Sequence, residues 1–284
     1  MGKDNKDNKD NKDIKMSLVV THDAGFFSCC SMKLFEIINY FNKHKKLPDS
    51  VDSSAQFKLY KQNGYENEDV TFDYFERYDH IPDEITWKED IYYHWCQQFQ
   101  NYSEINYEKL IPFIKKYFSP SVEIKELCNK YIHKYNIDIN NCIGLYYRGT
   151  DKHIETRIDS FDNYYDEINI LMDITRNENY QIFIQTDSSS FIDYMKEKCI
   201  NKRIVIIDEL STSYSNLGIH FENSSEKNYE EMKHLFASFL ILSKCKYIIH
   251  GSCNGSVWFT FYRGNNENTI QNLHYGGWNY RIVS

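Results

Sequence analysis

No uninterrupted apolar run in the 284 residues approaches the ~20 that a membrane-spanning helix requires. The first fifteen residues, MGKDNKDNKDNKDIK, lack the apolar centre of a secretory signal. A soluble, cytoplasmic protein with no membrane span is therefore expected. Basic excess is missing too: the formal net charge is −8, which argues against a nucleic-acid partner while leaving room for a local basic pocket. None of the 8 cysteines forms a C-x-x-C pair, so neither a zinc knuckle nor a disulfide framework is visible. Reduced, structural thiols are expected, with the adjacent Cys29 and Cys30 beside His22 as the alternative of a thiol enzyme. The GxxxxGK[ST] and GxGxxG patterns are absent, which disfavours a P-loop ATPase and a nicotinamide or flavin enzyme. No Asp-x-Asp triplet occurs. Proline and glycine are few, 4 and 11, beside 24 Tyr and 18 Phe. That bias is in keeping with AT-rich coding more than with an aromatic sugar-binding surface.

What is present divides the chain in three. Residues 1–15 repeat Lys-Asp-Asn and cannot bury anything, so a disordered tail is expected. Residues 16–136 form a first, less regular lobe. SLVV reads as a strand, Gly25 as a turn, and a helix is expected from about Ser31 with Leu34, Ile37, Ile38 and Phe41 on one face. FKLY is a candidate short strand, and DIYYHWCQQF, YEKLIPFIKKYF and SVEIKELCNKYIHKY carry helical patterns. Pro112 suits a first helical turn, and Ser119-Pro120 an end.

Residues 137–284 alternate regularly. The strands CIGLYY, QIFIQ, RIVII and YIIH interleave with helices of 10–18 residues, which implies βαβ crossovers and a parallel, Rossmann-like sheet. Each strand ends in polar residues its packing does not need: YYRGTDK, TDS, DE and HGSCNGS. In a parallel sheet these tails converge on one crevice. The chemistry there suits a phosphorylated ligand. Arg148 offers a planar, permanently charged fork of donors, and HGSCNGS opens a helix whose free amides favour an anion. Asp187 suits ribose hydroxyls or the N–H edge of a guanine. Each residue also has a plainer reading: Arg148 could pair with Asp151, Asp187 could cap the next helix, and His220 and His250 could be structural.

YYRGTDKH, FIQTDSSSF and YIIHGSCNGSVWFTFYRG resemble, in order and spacing, three signature regions of the α1,6-fucosyltransferase and protein O-fucosyltransferase superfamily. LGIHFENSSEKNYEEMKHLFASFLILSKC resembles that family's Gly-x-His loop and the helix after it. The similarity covers roughly residues 142–263. It implies an α/β, GT-B-like fold, two Rossmann-like lobes with a donor cleft between them. It also implies metal-independent, inverting transfer from GDP-fucose to a glycan or protein hydroxyl, with no cofactor besides the donor. By position, Arg148 would meet the donor diphosphate. Tyr146 and Asp187 would lie near the nucleoside. Ser252, Asn254 and Ser256 would bind the diphosphate, with His220 also on the donor side. Lys152 matches the motif's lysine, and Glu155 stands near the place of its acidic residue. His22 and Asp23 would face the acceptor, and Glu155, Asp151 or Asp23 would take its proton. Gly149 in place of the motif's second arginine and Tyr146 in place of its histidine are departures. They leave open another nucleotide sugar or an inactive nucleotide- or glycan-binding module. A soluble enzyme of this kind would fit a bacterium or a large virus.

Overall fold

The computed structural model describes residues 17–274, so the expected 1–15 tail lies outside the described residues, as do residues 275–284. In the first lobe, β1 (Ser17–Val19) pairs parallel with β2 (Ser50–Asp52), and α1 (Phe26–His44) connects them. The helix begins directly after Gly25, five residues earlier than expected, because Phe26, Phe27, Cys29 and Cys30 continue the apolar face of Leu34, Ile37, Ile38 and Phe41. Burial pushes the Cys29 thiol up to about 11 and the fully buried Cys30 thiol up as well, which removes the thiolate a thiol enzyme would need.

The rest of the lobe is short turns and helices: α2 (Thr71–Tyr74), α3 (Tyr107–Phe118) and α4 (Val122–Lys134). Three expectations change here. FKLY is not a strand: Phe57 is left-handed, φ 60°, and Lys58–Tyr60 form a 3₁₀ turn. DIYYHWCQQF is helical only as a 3₁₀ segment over Trp95–Phe99. The Asn42 side chain claims both backbone groups of Ile91, accepting from its N–H at 2.8 Å and donating to its carbonyl at 2.8 Å. Helical bonds there would have to displace that pair. Pro112 sits inside α3 rather than in its first turn, while Ser119 ends the helix as expected.

The second lobe is a five-stranded parallel sheet in the order β5-β4-β3-β6-β7. Its strands are β3 (Cys142–Tyr147), β4 (Gln181–Thr186), β5 (Ile204–Val205), β6 (Tyr247–Gly251) and β7 (Thr269–Asn272). The helices are α5 (Phe161–Thr175), α6 (Ser189–Lys198), α7 (Ile219–Glu222), α8 (Ser225–Lys244) and α9 (Asn254–Arg263). Strand β3 is central and wholly buried, the reason its sequence is one continuous apolar run. One face of the sheet packs Ile143, Leu145 and Tyr147 against Tyr164, Met172 and Phe191 of α5 and α6. The other face packs against α8 and α9 and merges with the first lobe in a single core that includes Phe26, Phe27, Phe236 and Trp258.

His250, on β6, is buried against the ring of Tyr102 at 5.3 Å. Its Nδ1 meets the Gly251 carbonyl at 2.9 Å, and its Nε2 has no partner among the described residues. Burial pulls its pKa from 6.5 down to about 4, only partly opposed by that carbonyl. The unfolded chain takes a proton below pH 6.5 that the folded chain refuses until about pH 4, so stability present at neutral pH is lost as pH falls through that window. The loss totals about 3 kcal/mol. Urea unfolding at pH 7 and pH 5 is expected to show most of it, and a His250→Gln variant is expected to show a flatter dependence. Equal slopes for the two chains would refute the assignment.

Candidate active site

The tails of β3 and β4 meet at one point. The Arg148 guanidinium bridges two carboxylates, Nη1 donating to Asp187 Oδ2 at 2.7 Å and Nη2 to Asp151 Oδ1 at 2.7 Å. Asp187 also accepts from the Gly149 N–H at 2.8 Å and the Thr150 hydroxyl at 2.6 Å, so it clamps the whole Arg148–Thr150 turn. Burial disfavours the Arg148 charge, yet Asp187 and Asp151 more than offset it and hold the guanidinium protonated. The pairing with Asp151 and the functional position are therefore compatible, because Arg148 still lines the hollow beside the sheet.

Gly149 is required by this turn. A Cβ there would fall 2.1 Å from Tyr147 Cε1, and the Tyr147 ring is stacked on Phe191 at 4.3 Å, so stepping aside would break that stack. An arginine at this position would have to displace that ring.

The next turn brings Lys152 into the same place. Its Nζ reaches Glu155 Oε2 at 2.7 Å and Gln98 Oε1 at 2.9 Å, and lies 4.9 Å from the Phe99 ring centre. Gly218, ahead of α7, lets its loop close on Asp151: a Cβ there would sit 2.6 Å from Asp151 Oδ2 and 2.7 Å from His220 Cε1. His220 is thereby part of the Arg148–Asp151 cluster. Burial, then the Arg148 charge, lowers its pKa, so the imidazole stays neutral.

The hollow encloses about 20 Å³, room for little more than one water. Its walls are Arg148, Lys152, Thr156, Arg157, Asp159 and Tyr164 on one side, and Gly251, Ser252, Cys253 and His274 on the other. Ser252 lines the hollow. Tyr146 also lines it, its ring packed against Phe239 at 5.2 Å and Phe259 at 5.6 Å. Two other expected donor residues face elsewhere. Asn254 accepts from Ser31 on α1 at 3.0 Å. The Ser256 hydroxyl is fully buried, closing the cap of α9 with Cys253 and donating to the Gly251 carbonyl at 2.7 Å.

The β5 tail does not join the cluster: Glu209 accepts from Lys134 and Tyr135 at the end of α4, each at 2.7 Å. From the first lobe, His22 Nε2 lies 3.1 Å from Ser28 Oγ, and Asp23 accepts from the Lys58 N–H at 3.1 Å. This loop runs into Gly25, whose nearest neighbour is the Tyr60 hydroxyl, 4.0 Å from where a Cβ would stand. Tyr60 is close enough to Arg148 and Asp151 to feel both charges, although burial dominates the upward shift of its phenol.

Several residues at the hollow had no sequence signal of their own. Arg157 and Asp159 lie only a few residues past the strand-end motif, and His274 follows β7, a strand too short to be noticed. His274 Nε2 meets Asp159 Oδ2 at 2.6 Å. Behind them Glu167 accepts from Asn272 at 3.0 Å, and burial raises its carboxyl to about 7. Among the described residues no group of three or more His, Cys, Asp or Glu is arranged to hold a metal ion.

No family model matches the chain, and neither does any curated protein. Solved structures do. NodZ alpha-1,6-fucosyltransferase soaked with GDP-fucose superposes with a TM-score of 0.55 at 11% identity, over 88% of this chain and 93% of that one. Fucosyltransferase NodZ from Bradyrhizobium gives 0.52 at 10% identity, over 88% and 93%. The chain shares the NodZ fold. The GT-B-like architecture implied by the sequence motifs is therefore present over nearly the whole length of both proteins. Among the described residues, the strands of the first lobe form one two-stranded β1–α1–β2 unit, while the second carries the five-stranded parallel sheet.

Proposed function

We propose that the chain is a glycosyltransferase moving fucose from GDP-fucose to a hydroxyl of a glycan or protein, with inversion and without a metal ion. One observation carries the reading. A guanidinium, Arg148, stands at the carboxyl end of the central strand, facing a hollow shared with the start of α9. The NodZ fold supports it, since a crystal of a protein of that fold was soaked with GDP-fucose. In the reaction the bond between the sugar carbon and the diphosphate oxygen breaks, and its electron pair leaves with the diphosphate. Arg148 and the amides opening α9 stabilise that charge, a preorganised arrangement that needs no reorganisation at the moment of reaction. Ser252, Lys152 and neutral His220 complete the donor side. Tyr146, Asp187, Asn254 and Ser256 act behind it, fixing the turn and the helix start. The acceptor hydroxyl attacks from the opposite face and gives its proton to a carboxylate. We assign that role to Glu155, whose side chain is 44% exposed, against 19% for Asp151 and 27% for Asp23.

A thermal-shift panel of GDP- and UDP-sugars, followed by donor turnover in excess EDTA, tests this. GDP-fucose is expected to stabilise the chain most, and transfer is expected to survive EDTA. Stabilisation by UDP-sugars alone, or activity lost to EDTA and restored by Mn²⁺, would overturn it. A second reading, a binding module without turnover, draws on the two carboxylates already matched to Arg148. Calorimetric GDP-fucose binding with no donor hydrolysis would favour that one.

A further inference from the structure

The charges around the hollow do not suit an anion as they stand. Arg148 is matched by Asp151 and Asp187, and Lys152 by Glu155: two cations against three carboxylates. His220 is neutral through burial. Asp159 adds another carboxylate, offset only when His274 is protonated, and Glu167, with its carboxyl at about 7, adds part of one more behind them. Tyr146, Tyr164 and Cys253 line the hollow without adding a cation. A diphosphate entering here would meet a net negative wall.

One lining residue changes that balance. Arg157 lies on the wall of the hollow, exposed, and no carboxylate lies within ion-pair distance of it among the described residues. An arginine fork so placed has all its donors available for phosphate oxygens, with no internal pair to break. We propose that Arg157 is a further diphosphate-binding residue of this site: it supplies the uncompensated positive charge, beside the Arg148 fork that its two carboxylates hold in place. The inference rests on the transferase reading for the identity of the nucleotide, but not for the diphosphate itself.

The test titrates the whole chain, in EDTA, with inorganic pyrophosphate, GDP and guanosine. Arg157→Ala is expected to weaken pyrophosphate and GDP by about 10- to 100-fold, the range for a lost hydrogen bond between charged groups. Guanosine affinity is expected to be unchanged. Arg157→Lys is expected to recover part of the loss, because the charge survives without the fork. Exposure of Arg157 makes its removal neutral for stability, and a melting curve of the free protein checks this. Wild-type affinity for GDP in Arg157→Ala sinks this inference and leaves the transferase reading standing. Pyrophosphate binding that depends on Arg157, without binding of GDP, supports it and sinks the GDP-fucose reading instead. No binding of either ligand by the wild type sinks both.

Discussion

Arg148→Ala is expected to reduce transfer by ~10²–10³, the cost of removing one preorganised donor from a developing anion. It is also expected to cost stability, which the sequence alone would not suggest. Removing the guanidinium leaves Asp187, 8% exposed, and Asp151, 19% exposed, facing each other without a cation. Breaking a buried pair from one side costs about 3 kcal/mol at the low end. The remaining Gly149 N–H and Thr150 hydroxyl bonds to Asp187 soften the loss. Arg148→Lys separates the two effects: the ammonium keeps a counter-charge for the carboxylates but cannot bridge both as a planar fork. That variant is expected to melt near wild type and still lose most of its turnover. Full activity in a folded Arg148→Lys or Arg148→Ala protein would remove the guanidinium from the mechanism.

The second large effect is expected at Gly149. An alanine methyl must displace the Tyr147 ring, which sits 2.1 Å from the Cβ position and is wedged against Phe191. Overpacking of this kind costs about 1–3 kcal/mol. The turn would also shift the N–H that donates to Asp187, so turnover is expected to fall with stability. Gly25→Ala is the control: its Cβ would have no neighbour nearer than 4.0 Å, and its φ of −55° suits any residue. Equal urea midpoints for the two variants would show that the Tyr147 ring can yield.

The second lobe was legible because its strands are buried on both faces, so the apolar runs CIGLYY, QIFIQ and YIIH stand out against polar tails and capped helices. β7 escaped notice: Thr269–Asn272 is four half-buried residues at an edge, with no apolar run to reveal it. The first lobe was harder, since its backbone is satisfied by side chains distant in sequence, Asn42 on Ile91 being the clearest case. No local pattern encodes such a bond. The hollow at the strand ends is legible as a place, since Arg148, Lys152 and Ser252 line it and Asp151 pairs with Arg148, but not in detail. Whether Ser256 caps a helix or meets a ligand, and whether Arg157 is paired or bare, depends on partners that folding brings in from elsewhere.

The topological boundary near residue 136 is not a seam in the packing. Phe27 on α1 stacks on Phe239 of α8 at 4.9 Å, and Phe118 on α3 meets Trp258 of α9 at 4.8 Å. Two helices that belong by topology to the five-stranded sheet therefore serve as the floor of the other side. Cutting the chain there would strand aromatic rings in water on both fragments, and rocking one lobe across the other would shear those same stacks. A conformational change at the hollow that keeps these stacks intact is confined to the connecting segments around it, such as the turn carrying Gly218 and His220.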